Sequence, residues 1–350
     1  MMQEHDFHYT KDFELEVGKV LKGFTLRYCT FGTPKSDGSN IIWVCHALTG
    51  NANVLDWWSG LFGEGKFFNP QEHFVICANI LGSCYGSTGP LSVNPDTGKP
   101  FFHDFPLITI RDMVRALDLL RQHLGIRHIH TLVGGSLGGQ QALEWAIMRP
   151  ELIENLILIA TNIRHSPWGI AFNESQRLAI EADPTWKEQR PDAGAKGMKA
   201  ARAIAMLSYR NYETYQKTQL DEDIQKIDNL KASSYQAYQG EKLVKRFNAF
   251  TYWTLSKAMD THNIARNRGS VEDVLKTIQA YTQVVSITTD VLFPVNEQRL
   301  MVRHLRNVTY EEIHSTYGHD GFLVEFQKLE RAFSAFFKQK AKKKMFPVNH

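Results

Sequence analysis

The stretch VGGSLGGQQALEW, residues 133–145, decides how this chain folds. It contains Gly134-Gly135-Ser136-Leu137-Gly138, a G-x-S-x-G pattern. A β-rich run, residues 128–133, precedes it, and a helix-forming run, residues 140–146, follows. A serine on so sharp a strand-to-helix turn is pushed to the edge of a sheet. Glycines on either side let backbones approach where a side chain would clash. The context, strand before and helix after, predicts a nucleophile rather than an ordinary tight bend.

Working outward, short continuous apolar runs recur at residues 41–45, 74–77, 129–133 and 156–160. Runs of this kind suit strands buried on both faces, as in a parallel sheet. Helical patterns at 110–124 and 140–148 lie between the later ones. Alternating strand and helix predicts an α/β fold, and residues 12–31, alternating around two glycines, predict a leading antiparallel pair. From 164 to 278 no strand is convincing; helical segments at 170–182, 196–210 and 246–259 dominate. The alternation resumes with strands at 284–287 and 308–313 and helices at 297–305 and 323–337. The expected organisation is a core formed by residues 1–163 and 279–350, interrupted by a helical lid over 164–278.

Composition narrows the function. Of 350 residues, 43% are hydrophobic and 22% charged, enough for a sizeable core. A net charge of +3, with both signs interspersed, argues against a nucleic-acid partner. No apolar run approaches the ~18 residues of a membrane helix, and the N-terminus carries acids where a signal peptide would be apolar. Cys29, Cys45, Cys77 and Cys84 form no C-x-x-C, so reduced thiols in the cytoplasm are expected. The basic end KQKAKKKMFPVNH, 338–350, reads as a solvated tail. GLFGEGK at 60–66 lacks the hydroxyl residue and the preceding strand of a phosphate loop. His5/His8 and His128/His130 lack the H-E-x-x-H form and a third ligand, so no metal is expected.

A serine nucleophile needs a base, and the base an orienting acid. In a fold carrying this elbow the chain order is Ser, then Asp or Glu, then His. Asp290 directly follows the 284–287 strand region, and His319 lies in the loop after the 308–313 strand. The bland alternatives are a turn or cap role for Asp290 and an ordinary loop histidine at 319. The backbone N–H of Leu137, after the nucleophile, and of Leu48, in the loop after an early strand, are the expected oxyanion donors.

Further blocks are CHALTG (45–50), FVICANILGSCYGSTGP (74–90), DFPLITIRDMVRA (104–116), IAFNESQRLAIEADPTW (170–186), LFPVNEQ (292–298) and YGHDGFL (317–323). Together with the elbow they resemble the homoserine O-acetyltransferases, which have the α/β-hydrolase fold: a mostly parallel central sheet, helices on both faces and a helical lid. The resemblance spans about residues 10–338. It implies transfer of an acetyl group from acetyl-CoA, a co-substrate rather than a bound cofactor, to the side-chain hydroxyl of L-homoserine. It implies a ping-pong path through an acyl-serine, a place in methionine biosynthesis and a homodimer. It assigns Arg202 to the amino acid's carboxylate, Asp320 to its ammonium and Tyr209 to an assisting position. On the residues alone, Arg202 reads rather as a salt-bridged helix residue, and Asp320 has a helix N-cap as its bland reading; the resemblance reverses the first. Leu137 replaces a common methionine, a volume-conserving change. Ser83 replaces a glycine near the family's acyl site, which leaves a succinyl donor open, and a compact 187–197 segment leaves serine open as acceptor. A serine hydrolase of the same fold is the competing class.

Overall fold

The computed structural model describes residues 2–345. Eight strands form one sheet: β1 (Gln3–Glu14), β2 (Val20–Phe31), β3 (Ile41–Cys45), β4 (Phe74–Ala78), β5 (Ile129–Gly135), β6 (Ile153–Ile159), β7 (Tyr281–Ile287) and β8 (Val308–Ile313). Their order is β1-β2-β4-β3-β5-β6-β7-β8. β1 and β2 pair antiparallel, as do β2 and β4; every later pairing is parallel.

The helices in chain order are α1 (Leu55–Trp58), α2 (Ile110–His123), α3 (Leu137–Met148), α4 (Pro167–Glu181), α5 (Ala195–Tyr209), α6 (Tyr212–Gln219), α7 (Lys231–Val244), α8 (Ala249–Asp260), α9 (Val271–Lys276), α10 (Val295–Val302), α11 (Gly321–Val324) and α12 (Phe326–Met345). Both sheet faces are covered, which explains the unbroken apolar runs. In β3, Trp43 packs on the α2/α3 side, while Ile42 and Val44 pack on the other side with Trp58, Phe333 and Phe336. Caps start the helices where the sequence supplies them: Thr109 and Asp112 form a reciprocal capping box on α2, and Ser166 with Pro167 opens α4.

Parallel register aligns the carboxyl ends of the central strands. Cys45 pairs with Gly134, Gly135 with Ile159, and Ile287 with Ile313. The segments after β3, β5, β7 and β8 therefore meet at one edge. Between β6 and β7 the chain leaves the sheet, and a bridge between Arg164 and Asn263 ties the outgoing and returning segments together. Helices α4, α5, α7 and α8 pack on one another between those points. Arg266 and Arg268 then pair with Glu16 and Glu144, anchoring the returning chain to the core.

Helices α6 and α7 also fall in the stretch expected to be helical. One expectation changes. The basic end is not wholly a solvated tail: it continues α12, and the Lys340 ammonium reaches the Glu154 carboxylate at 2.7 Å. Residues 346–350 of that stretch lie outside the described residues.

Candidate active site

Ser136 sits between β5 and α3 with φ 56° and ψ −126°. For a residue with a Cβ this region costs about 1–3 kcal/mol, so the surroundings must enforce it. They do so from several sides. Ser136 N–H donates to the Ile159 carbonyl at 2.9 Å, and the Thr161 hydroxyl donates to the Ser136 carbonyl at 2.9 Å. A Cβ on Gly138 would overlap the Cys45 carbonyl oxygen, and one on Gly134 would overlap Gly138. Gly138→Ala is therefore expected to destabilise the fold by at least about 2 kcal/mol. An unchanged urea midpoint would show that the elbow can relax.

The predicted partners meet at this serine. His319 Nε2 lies 2.9 Å from Ser136 Oγ, and His319 Nδ1 lies 2.6 Å from Asp290 Oδ2. All three side chains are buried. The second Asp290 oxygen accepts the N–H groups of Leu292 and Phe293, each at 2.8 Å. Asp290 thus makes the turn its position allows and also orients the histidine. The imidazole is held between rings: Phe293 stacks on it at 5.1 Å, with Phe322 at 5.2 Å and Tyr209 at 5.8 Å. The Thr289 hydroxyl donates to Ser315 O at 2.6 Å and accepts Gly318 N–H at 3.1 Å, which joins the loops carrying Asp290 and His319.

Leu137 is the first residue of α3, where an amide has no partner within the helix. Leu48 lines the cavity above Ser136, with Ala47 and Thr49. That loop is braced by His46, which the sequence reading passed over. Its Nε2 accepts the Ile80 N–H at 3.1 Å, which places the ring proton on Nδ1, 2.8 Å from the Ala47 carbonyl. Complete burial pushes its pKa down to about 4, so the brace stays neutral at ordinary pH.

The opposite wall comes from α5 and the His319 loop. Arg202, Tyr209 and Asp320 all line the same cavity as Ser136 and His319. The Arg202 guanidinium stands 5.2 Å from the Tyr209 ring, and its buried Nε has no hydrogen-bond partner. Arg202 is not the salt-bridged helix residue its sequence context allows: among the described residues it makes no ion pair. Asp320 makes no side-chain capping bond at α11. It faces Arg210 instead, with Nε 2.9 Å from Oδ2. Burial pushes the Asp320 pKa up, and Arg210 and Arg202 pull it back. Ser83 does not line the cavity; it is buried, with its hydroxyl accepting the Tyr85 N–H.

Comparison with known proteins places this geometry in a family. The alpha/beta hydrolase fold profile matches residues 40–326. The homoserine O-acetyltransferase of Cyclobacterium marinum is 50% identical over 336 residues, covering 96% of this chain and 95% of that protein. The chain belongs to the homoserine O-acetyltransferase family. Among solved structures, a homoserine O-acetyltransferase from Bacillus anthracis superposes with a TM-score of 0.87 at 25% identity, covering 96% of this chain and 97% of that one. Esterase E22 superposes nearly as well, with a TM-score of 0.86 at 24% identity and coverage of 96% and 100%. That likeness concerns the fold alone: acyltransferases and esterases share the scaffold, so membership of the family rests on sequence, and the reaction must be argued from side chains.

Among the described residues no helix is long and apolar enough to cross a membrane, and no cluster of His, Cys, Asp and Glu has a metal-binding arrangement.

Proposed function

We propose that this protein transfers an acetyl group from acetyl-CoA to the hydroxyl of L-homoserine through an acyl-Ser136 intermediate. The observation that carries this reading is the wall facing the serine: a buried arginine N–H without a partner and a carboxylate, both lining the Ser136 cavity. A buried unsatisfied donor costs about 1–3 kcal/mol and persists where a ligand satisfies it. A cation and an anion beside one nucleophile suit a zwitterionic acceptor. An esterase for simple esters needs neither.

In the first half-reaction Ser136 Oγ attacks the thioester carbonyl as His319 Nε2 takes its proton. Asp290 stabilises the imidazolium through Nδ1–H, and the Leu137 and Leu48 amides receive the oxyanion. The C–S bond breaks, and the thiolate leaves with the proton from His319. Homoserine then binds with its carboxylate on Arg202 and its ammonium on Asp320. Its hydroxyl loses a proton to His319 and attacks the acyl carbon, and Ser136 Oγ recovers that proton as the ester leaves. Water would intercept the acyl-serine; Ser136 and His319 are buried beneath α5, which favours transfer over hydrolysis. Ser83, the position that leaves a succinyl donor open, stands outside the cavity and so gives no ground for the larger acyl group. A role in methionine biosynthesis, a cytoplasmic location and a homodimer accompany this reading on the strength of the family.

The deciding experiment is thiol release from acetyl-CoA and from succinyl-CoA with homoserine, serine or water as acceptor. Release that requires homoserine supports the proposal; release indifferent to the amino acid makes the protein a hydrolase. Within the proposal, Arg202→Ala is expected to raise the homoserine KM by about 10²-fold, the loss of a charge-assisted bidentate contact, with acyl-enzyme formation within about threefold of wild type. Equal loss in both half-reactions would reject Arg202 as the carboxylate clamp.

A further inference from the structure

The carboxylate assigned to the acceptor's ammonium already has a cation beside it. Arg210 Nε lies 2.9 Å from Asp320 Oδ2, with both side chains mostly buried. Yet the Nε–H is not aimed at the oxygen, and that nitrogen is left without a hydrogen bond. Among the described residues no side chain or amide donates a well-aimed hydrogen bond to the Asp320 carboxylate. The ion pair is therefore Coulombic, and Asp320 lines the Ser136 cavity with its hydrogen-bonding capacity unused.

Packing fixes the arginine where it stands. Arg210 directly follows α5, and the loop before His319 is pressed against it. Gly318, at φ +64°, has no room for a side chain: a Cβ would lie 2.9 Å from the Arg210 carbonyl carbon and 3.0 Å from the Tyr209 oxygen. The Arg210 guanidinium rests 5.6 Å from the Tyr317 ring. Four residues further, the Thr214 hydroxyl donates to the Thr316 carbonyl. The residue is thus locked onto the segment that carries both His319 and Asp320.

We infer that Arg210 is a positioning residue of the acceptor half-reaction, fixing Asp320 as the anionic subsite for the ammonium by charge and packing while leaving its hydrogen-bonding capacity to the substrate. This rests on the proposed acetyl transfer to homoserine and adds a residue to it. Burial alone would favour the neutral acid at Asp320, which cannot attract an ammonium by charge. The groups facing this carboxylate are Arg202, Tyr209 and Arg210 at α5, Tyr215 on α6, and His319 and Asp290. Arg202 is engaged by the acceptor's carboxylate in the bound state, so Arg210 is the one cation in this set that stays with Asp320 throughout.

The test compares wild type, Arg210→Gln and Arg210→Lys with two acceptors: homoserine and 4-hydroxybutyrate, which lacks only the ammonium. The wild type is expected to prefer homoserine strongly. In Arg210→Gln the homoserine KM should rise about 10–100-fold and the preference should largely collapse, with acyl-enzyme formation from acetyl-CoA alone within about threefold. Removing Arg210 leaves burial less opposed, so the Asp320 pKa moves up. The acid limb of kcat/KM for homoserine should then move to higher pH in Arg210→Gln and return in Arg210→Lys. An Arg210→Gln enzyme that keeps the wild-type preference and KM would overturn the inference. So would slowing of both half-reactions alike, the mark of a residue that merely supports the His319 loop. If Arg210→Gln does not fold, Arg210→Lys decides: its charge should preserve the preference for homoserine, and loss of that preference with acyl-enzyme formation intact sinks the idea. A wild type that transfers nothing to homoserine would instead bring down the functional reading itself, a result separable from failure at Arg210.

Discussion

Replacing Ser136 by alanine is expected to lower acyl transfer by about 10⁴–10⁶-fold while leaving the fold intact. Ser136 Oγ is 2.9 Å from His319 Nε2, so its loss removes the atom that would form the acyl bond. Few atoms holding the elbow belong to its side chain. The strained backbone is secured by the Ile159 carbonyl, the Thr161 hydroxyl and the close approach of Gly138 to Cys45, all of which survive the substitution. Alanine also tolerates the positive φ about as poorly as serine, so strain changes little. The measurements are mass detection of the acyl-protein after mixing with acetyl-CoA, steady-state thiol release, and thermal unfolding. An acylated Ser136→Ala protein, or activity within tenfold of wild type, would remove this serine as nucleophile.

The second large effect is expected at Asp290→Asn, about 10⁴-fold in both half-reactions. The reason lies in how the two carboxylate oxygens are used. Oδ1 accepts the N–H groups of Leu292 and Phe293, so an asparagine must place its carbonyl oxygen there. Its amide nitrogen then faces His319 Nδ1 in place of Oδ2. A donor at that position forces Nδ1 to accept and moves the ring proton to Nε2. The nitrogen facing Ser136 would then offer a proton where it must take one. Because His319 is the proposed base of both half-reactions, acylation and transfer should fall together, in contrast to Arg202→Ala. Stopped-flow acylation with acetyl-CoA and single-turnover transfer from the pre-formed acyl-enzyme separate the two steps. Selective loss of one step would mean that Asp290 does something other than orient the base.

The contrast between triad and acceptor wall also shows how far the sequence can be read. Ser136, Asp290 and His319 were legible because each directly follows or closely trails a strand in a parallel sheet, and parallel register delivers strand ends to one edge. The apolar runs marked the strands, so chain order was enough. His46 was missed for a local reason: one histidine after a strand looks like any loop histidine, and its brace to Ile80 spans 34 residues. Arg202 and Asp320 could be singled out only through the family resemblance. Arg210 carried no signal, because its partner is 110 residues away across a helix end and a loop that share no periodic pattern.

By itself, then, the sequence determined the α/β core, the elbow and the order Ser136, Asp290, His319 along the sheet edge. Those features follow from local patterning: burial on both faces writes a strand, glycine permits a tight turn, and chain order along a parallel sheet sets the edge. Tertiary structure alone decided that α5 ends against the His319 loop, that Arg202 is left with an unpaired buried N–H, and that Asp320 faces Arg210 rather than capping a helix. Charges acquire partners through contacts between distant segments, and no short-range pattern in the chain encodes which distant segment a helix end will meet.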